Sequence, residues 1–484
     1  MTRVLPVIGG ERVSAGGDGV FESIDPATEA VLAEVVRSSS DQVELAVWAA
    51  QGAQRTWAAL SPEQRSSVLW RWGDLIVAAR EELAELDSRD IGKPIRDARN
   101  DPSTAARAAR YWAGMAEQIR GEQLPTAPGH LSYTVREPIG VIGVILPWNG
   151  PMLSLCNRVS PALACGNAVV VKPSEWSSLS AGRLAELGVE AGMPPGLFNV
   201  VYGDGRVGSM VVEHPDVGAV SFTGSPPTGK AIARAAAGKT LMLEQGGKSP
   251  NLVFADADLD TAMEAAVWGV FANTGQVCCA STRLLVQKSI AAEFVDRVVE
   301  RTRSLRVGDP RDEQTQLGPV ASRMQYDKVR SFLEQAVDGG GQIAVGGSRP
   351  DGAGDVGYYV APTVVCDLPR DAALIRHEIF GPVLSVQTFE SEDDAIELAN
   401  DTDYGLAANI WTENSGRMLR VAAKLEAGTI WGNTSRVMDP SLPFGGFKDS
   451  GVGNAYGDGA IAGSTRLKRV SVRYEADAAM PRWR

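Results

Sequence analysis

Cysteine and histidine are scarce in this chain, and each shortage closes off a class of chemistry. The 484 residues include five cysteines, an odd number with no CxxC spacing, which argues against a disulfide framework and for a reducing compartment. Three histidines, His130, His214 and His377, lie far apart with no HExxH-like spacing, so a zinc site has almost no ligands to draw on and no metal is expected. Basic residues are outnumbered, 47 Lys+Arg against 59 Asp+Glu, and the formal charge of -12 has the wrong sign for tracking a phosphate backbone. No nucleic-acid partner is expected. Long apolar runs are missing too: nothing reaches the roughly 18 unbroken residues of a membrane span, and the opening MTRVLPVIGGERV breaks before it could supply a signal-peptide core. These readings place the protein in the cytoplasm, away from membranes. What is abundant is glycine, 52 residues, which marks many points where backbone turns tightly or approaches a ligand. Hydrophobic residues at 44% and charged residues at 22% fit an ordinary globular chain, with room for about three domains at roughly 150 residues each.

The first hundred residues read as helices. Ser61-Pro62-Glu63-Gln64 spells a capping box with proline at the first helical position, and Leu69, Trp72, Leu75, Ile76, Ala79, Leu83 and Leu86 follow at helical spacing as a core-facing stripe. From Ile139 short apolar runs at 139–146, 168–172, 198–202, 217–223 and 240–244 alternate with helix-sized spacers, which gives a doubly wound parallel sheet. A second α/β series follows Gly246-Gly247, with helical pattern at 258–273, 289–304 and 391–400 and strand-like runs at 283–286, 382–387 and 408–411. The Gly- and Asp-rich stretch 336–358 reads as a surface excursion. RLKRVSVRYEA near the end alternates like a strand, whose partner is either another subunit or the 131–137 segment.

Two glycine-rich turns invite a phosphate-loop reading. Gly203-Asp204-Gly205-Arg206-Val207-Gly208 spells GxGxxG between a strand and a helix, yet alone it marks no more than a tight turn. Gly224 to Lys230 spells GxxxxGK, but Ala231 stands where a P-loop needs a hydroxyl for magnesium, which argues against a nucleotide hydrolase. Either turn can still hold a phosphate on its unpaired N–H groups.

The sharpest signal is GQVCCASTR at 275–283, a cysteine pair in a polar, small-residue turn. This segment resembles the nucleophile motif of the NAD(P)-dependent aldehyde dehydrogenases. Six further segments follow that family's order: PWNGP at 147–151, KPSE at 172–175, FTGS at 222–225, EQGGKSPN at 244–251, EIFGPV at 378–383 and PFGGFKDSG at 443–451. The resemblance spans nearly the whole chain. It implies a dinucleotide-binding domain over 1–118 and 139–246, a catalytic domain over 247–450, and a small β oligomerisation element from 119–138 and 464–484, in a homodimer or homotetramer.

It also implies roles for single residues. Cys278 would attack the aldehyde carbonyl, Asn149 and the Cys278 backbone N–H would hold the oxyanion, and Glu244 would activate the hydrolytic water. For the cofactor, Lys172, Ser174 and Glu175 would meet the adenosine ribose, with Gly203 and Gly205 lining the adenosine side. Gly224, Ser225 and Trp148 would meet the pyrophosphate, Gln245 would make a backbone contact to the nicotinamide, Glu378 would bind its ribose, and Phe380 would pack by the ring. Glu175 favours NAD over NADP, whose extra phosphate it would repel. Ser154, Asn157, Ala272, Val277, Cys279, Arg436, Met438 and Phe444 should lie near the substrate tunnel. Several are small or polar where relatives carry aromatics, which implies a roomy tunnel. Asn157 stands where semialdehyde-specific relatives carry arginine, while Arg436 either attracts anions or faces solvent. Further departures are Gln245 for leucine, Gly150 for phenylalanine, Arg158 for lysine, and Asn454-Ala455 where Arg-Glu is usual. The competing readings are a dehydrogenase that passes its acyl group to CoA and an idle member of the fold acting as a binding protein.

Overall fold

The early chain departs from the helical reading. In the computed structural model, which describes residues 2–475, five short strands precede the first helix: Thr2–Val4, Val7–Ile8, Glu11–Arg12, Val20–Ile24 and Val31–Val36. Strands of two to six residues are too brief for period-2 alternation to stand out. The helical stripe that follows is sound but broken once. Ser61 and Gln64 form both bonds of the capping box on helix Pro62–Ala78, and Leu69, Trp72 and Ile76 are fully buried. At Ala79 ψ turns to 18°, so Leu83 belongs to a separate helix, Arg80–Ile91.

Strands Val141–Ile145, Ala168–Lys172, Phe198–Val200, Val217–Gly224 and Thr240–Gln245 form the expected parallel sheet. The first two are buried at every residue, as strands covered on both faces must be. Val141–Ile145 sits centrally, the next two strands extend to one side and the last two to the other. That reversal is a topological switch point, and ligands bind there against the carboxyl ends of the strands. Two of the unexpected early strands, Val7–Ile8 and Glu11–Arg12, continue one edge of this sheet in antiparallel sense.

The second sheet is parallel across Thr363–Cys366, Val383–Phe389, Arg283–Gln287, Pro250–Val253, Ala407–Trp411 and Thr429–Gly432. Gln342–Val345 joins its edge antiparallel, and helix Arg323–Asp338, capped by Ser322 onto the Gln325 N–H, runs into the same region. The stretch 336–358 is therefore only partly a surface excursion; the glycines around that strand masked it. Thr465–Arg473 pairs with His130–Pro138 of its own chain, from Thr465 opposite Pro138 to Arg473 opposite His130. That is one of the two partners the sequence offered, and the strand forms an edge of its sheet; Ala476 and the rest of 476–484 lie outside the described residues. Among those described, no helix is long and apolar enough to cross a membrane.

Candidate active site

Only Gly246 to Ser249 separate the last strand of the first sheet from strand Pro250–Val253 of the second. The carboxyl ends of one sheet therefore face the amino ends of strands in the other, across a cavity of about 680 Å³. Trp148, Lys172, Ser174, Glu175, Gly205, Gly224, Ser225, Gln245, Glu378 and Phe380 all line it, together with Asn149 and Cys278. Gly203 does not line it; its carbonyl instead accepts from Lys172 Nζ at 3.0 Å.

Backbone strain shapes the nucleophile turn. Asn273 and Thr274 take left-handed φ of 53° and 56°, followed by Gly275 at 73°, where a Cβ would come 2.1 Å from the Gly381 carbonyl oxygen. Non-glycine residues in this region cost on the order of 1–3 kcal/mol each and persist only where neighbours hold them. Asn273 Nδ2 donates to the carbonyls of Asn149 (2.8 Å) and Gln276 (3.2 Å), and Asn149 Nδ2 also donates to Gln276 at 2.9 Å. An amide nitrogen carries two hydrogens, so one orients the Asn149 side chain and the other remains for a ligand.

Cys278 Sγ donates to Glu244 Oε1 at 3.6 Å. Contact with Cys279, burial, and the carboxylates of Glu244 and Glu378 push the Cys278 thiol well up from its ordinary range. The other oxygen of Glu244 accepts from Arg158 Nη2, which also donates to Thr223 at 2.8 Å. Both members of this ion pair are buried. Nothing in the family motifs names Arg158 as a partner of the base, but a signal was present: a charge inside the apolar helix Pro151–Ala164 must find a counter-charge. Ala455, where the resemblance implies a glutamate, is buried and brings no second carboxylate.

Glu378 Oε1 accepts from the Gly247 N–H at 3.0 Å. Burial pushes its carboxyl up to about 7, against the pull of that N–H and of Lys328 and Lys248. A Cβ on Gly246 would lie 2.1 Å from Glu378 Oε2, so the glycine pair lets the carboxylate close on the backbone. Helix Arg323–Asp338, unforeseen from the sequence, supplies Met324, Gln325 and Lys328 to the same wall. Gln325 Nε2 donates to the carbonyls of Ile379 (2.8 Å) and Phe380 (2.7 Å). These bonds hold Phe380 at φ 63°, edge-on to Trp148 with ring centroids 5.2 Å apart.

Lys172 is buried, which lowers its pKa, and it reaches Glu175 at 3.6 Å. Ser225 sits at the N-terminus of helix Pro226–Ala235. Lys230, the lysine of the P-loop spelling, is engaged with Asp449 at 2.7 Å, and a Cβ on Gly229 would meet Gln245 Nε2 at 2.4 Å. The side chain of Gln245 is thus packed against the helix.

The eight tunnel residues lie away from this cavity wall. Val277, Cys279 and Phe444 pack with Cys278, Leu406, Trp431 and Tyr456. Ser154 and Asn157 share the helix of Arg158, Ala272 opens the turn Ala272–Gly275, and Arg436 and Met438 sit on the loop after strand Thr429–Gly432.

Comparison with known proteins agrees with this geometry. The model of the aldehyde dehydrogenase family matches residues 13–470. PnpE, a protein solved from Pseudomonas sp. WBC-3, is in its complex with nicotinamide adenine dinucleotide 39% identical with a TM-score of 0.96, covering 99% of each chain. The NAD+ complex of an aldehyde dehydrogenase from Bacillus cereus is 39% identical with a TM-score of 0.95, covering 98% of this chain and 97% of that one. An NAD-dependent aldehyde dehydrogenase from Sinorhizobium meliloti is 37% identical with a TM-score of 0.96, covering 99% of this chain and 96% of that one. This chain belongs to the aldehyde dehydrogenase family.

Proposed function

We propose that the protein oxidises an aldehyde to its carboxylic acid with NAD, through a covalent acyl group on Cys278. The observation that carries this reading is the thiol of Cys278 bonded to a buried carboxylate, Glu244, on a cavity that also presents Asn149. The cavity suits a dinucleotide. It runs across the carboxyl ends of the first sheet, with Lys172 and Glu175 after one strand, the Ser225 helix N-terminus after another, and Glu378 and Phe380 facing from the second sheet. Lys172, Ser174, Glu175 and Gly205 would hold the adenosine part, Gly224, Ser225 and Trp148 the phosphates, and Gln245, Glu378 and Phe380 the nicotinamide part. When bound, NAD supplies the hydride acceptor.

The protein's own groups do the rest. Thiolate attack on the carbonyl forms a thiohemiacetal, whose oxyanion accepts from the free Asn149 N–H and the Cys278 backbone N–H. Loss of hydride leaves a thioester. Glu244 then takes a proton from water as the water attacks, and the acid leaves as the thiol re-forms. Arg158 holds one oxygen of this base and leaves the other facing the sulfur. A hydrolytic base so placed favours release to water over transfer to CoA.

The reading extends to the division into dinucleotide-binding, catalytic and bridging parts given above, to a cytoplasmic location, and to a homodimer or homotetramer. Exposed Leu124, Leu131, Leu467 and Val472, on the sheet that Thr465–Arg473 and His130–Pro138 form with Gln123–Leu124, and Tyr474 just beyond it support self-association. The test is NADH absorbance with a panel of aliphatic, aromatic and terpenoid aldehydes; absence of NADH with every one would overturn it.

Cofactor choice follows from Glu175. A like charge about 4 Å away costs around 4 kcal/mol at an effective dielectric near 20 and about 1 in water. We expect kcat/KM for NAD to exceed that for NADP by at least tenfold, and Glu175→Ser to narrow the gap mainly by improving NADP, as measured by initial rates with each. Equal use by the unmutated enzyme would show that the carboxylate points elsewhere.

Glu378 makes NAD binding depend on pH. Its carboxyl, raised to about 7, is protonated below that pH and accepts both ribose hydroxyls only above it. The Kd for NAD is therefore expected to fall as pH rises from about 6 to 8, by up to roughly tenfold per unit on the acid side. Calorimetric titration of Glu378→Gln should show a flatter profile; an identical slope would assign the dependence to another group.

A further inference from the structure

We propose that Tyr456 is a further catalytic residue, whose hydroxyl accepts one hydrogen of the hydrolytic water while Glu244 takes the other. This rests on the reading of the site as an aldehyde-oxidising one and concerns only the release of the acid. The fold brings Tyr456 to the base through the first sheet. Strand Gly451–Val452 pairs antiparallel with Thr240–Gln245, with Gly451 opposite Glu244. Gly453, at φ 80°, then turns the chain, and helix Gly457–Ser464 packs back on that strand and on helix Pro151–Ala164, which carries Arg158. The contact is close, because a Cβ on Gly463 would strike Met242 Sδ. Tyr456 caps this helix, and the backbone is pinned on both sides of it: the Ala455 N–H donates to the Phe444 carbonyl at 2.8 Å and the Gly457 N–H to the Pro440 carbonyl at 3.1 Å. Its ring stands edge-on to Phe444, with centroids 5.9 Å apart. Tyr456 and Cys278 pack against one apolar cluster, which includes Cys279, Leu406, Trp431 and Phe444, and Tyr456 does not line the cofactor cavity.

The hydroxyl has no hydrogen-bond partner among the described residues, so its bonding capacity is uncommitted. Burial pushes the phenol up, and the nearby Glu244 carboxylate adds to the effect, so the group stays protonated and neutral. A neutral phenol accepts as well as donates. Among the side chains of that cluster Tyr456 alone carries an oxygen, and the one other polar group, Trp431 Nε1, donates to the Val437 carbonyl at 3.2 Å. Glu244 has one oxygen on Arg158 and receives the Cys278 thiol on the other. Acylation of the sulfur removes that S–H and frees the second oxygen to accept from water. The water then has one more hydrogen to place. Buried Ala455 offers no acceptor side chain, and Tyr456, the next residue, does. With both hydrogens held, a lone pair of the water is turned to the thioester carbon. The water oxygen bonds to that carbon as its proton passes to Glu244, the C–S bond breaks, and the sulfur takes the proton back as the acid leaves.

The test is Tyr456→Phe, which keeps the ring on Phe444 and, since the hydroxyl is unpartnered, breaks no bond of the fold. The variant is mixed with saturating NAD and one equivalent of an aldehyde that the unmutated enzyme oxidises; NADH is followed by stopped flow and acylated Cys278 by quenched-flow mass measurement. The first NADH is expected to form within about threefold of the unmutated rate, while the acyl group decays more slowly by about 10- to 100-fold. Where that decay limits turnover, kcat and KM for the aldehyde fall together and kcat/KM is kept, a split that a merely structural role would not give. Tyr456→His, which restores an acceptor on a ring, should recover part of the decay rate. Decay in Tyr456→Phe within about threefold of the unmutated rate would overturn the role of the hydroxyl and leave aldehyde oxidation standing. Equal slowing of NADH formation and of decay would overturn it too, since the residue would then serve packing alone. An unmutated enzyme that forms no NADH with any aldehyde would instead count against the aldehyde-oxidising reading itself.

Discussion

Replacing Cys278 with alanine is expected to lower aldehyde oxidation on the order of 10⁴-fold or more while NAD still binds, and Cys279→Ala is expected to keep most of the activity. The two sulfurs are adjacent in sequence but differ in what they face. Cys278 lines the cavity shared with Asn149 and bonds to Glu244, whereas Cys279 is buried in an apolar wall with Leu406, Trp431 and Phe444. Only one of them can meet a carbonyl whose oxygen lies against the Asn149 amide. Steady-state NADH formation and calorimetric NAD binding check both halves of the expectation; equal loss in the two variants would mean that the nucleophile has been misassigned. The raised thiol of Cys278 adds a condition. In the free protein the sulfur is held protonated beside two carboxylates, so its activation has to accompany cofactor binding, and iodoacetamide should alkylate it faster with NAD present.

Glu244→Gln is expected to separate the two half-reactions. Hydride leaves before water is needed, so one NADH per active site should form in a burst, followed by turnover slower by about 10²- to 10⁴-fold. The variant has a structural consequence as well. Arg158 loses its counter-charge in a buried setting, and breaking such a pair costs roughly 3–5 kcal/mol when nothing replaces it, although glutamine can still accept one of the arginine's hydrogen bonds. A fall in Tm should therefore accompany the burst. Stopped-flow absorbance reads the burst directly. Its absence in folded protein would move Glu244 to an earlier step, the deprotonation of the thiol whose proton it faces at 3.6 Å.

The parts of this account that were legible in the sequence are those where local pattern and burial coincide. VIGVI and AVVVK read as strands because a parallel sheet covered on both faces leaves no room for polar alternation, and the capping box at Ser61 states a helix start in four residues. That these residues gather on one cavity wall was legible for a different reason: they follow strand ends in motifs that keep their own order along the chain. What escaped notice depends on distance. Arg158 and Glu244 are 86 positions apart, and a lone arginine in an apolar helix announces that it needs a partner without saying which. Gln325 reaches the Phe380 loop from 55 positions away, through a helix that the glycine-rich stretch beyond it obscured. The early strands escaped because two to six residues of extended chain carry little periodicity; their neighbours in the sheet make them strands.

The central claim is that a thioester forms on Cys278 and that Glu244 is needed to hydrolyse it. The most direct measurement is peptide mass mapping of Glu244→Gln quenched in acid after mixing with NAD and an aldehyde that the unmutated enzyme oxidises. The account predicts one acyl group per chain, on Cys278 of the peptide that contains both cysteines, in a one-to-one ratio with the NADH released. NADH formed with no acylated cysteine, or an acyl group carried by Cys279, would contradict it.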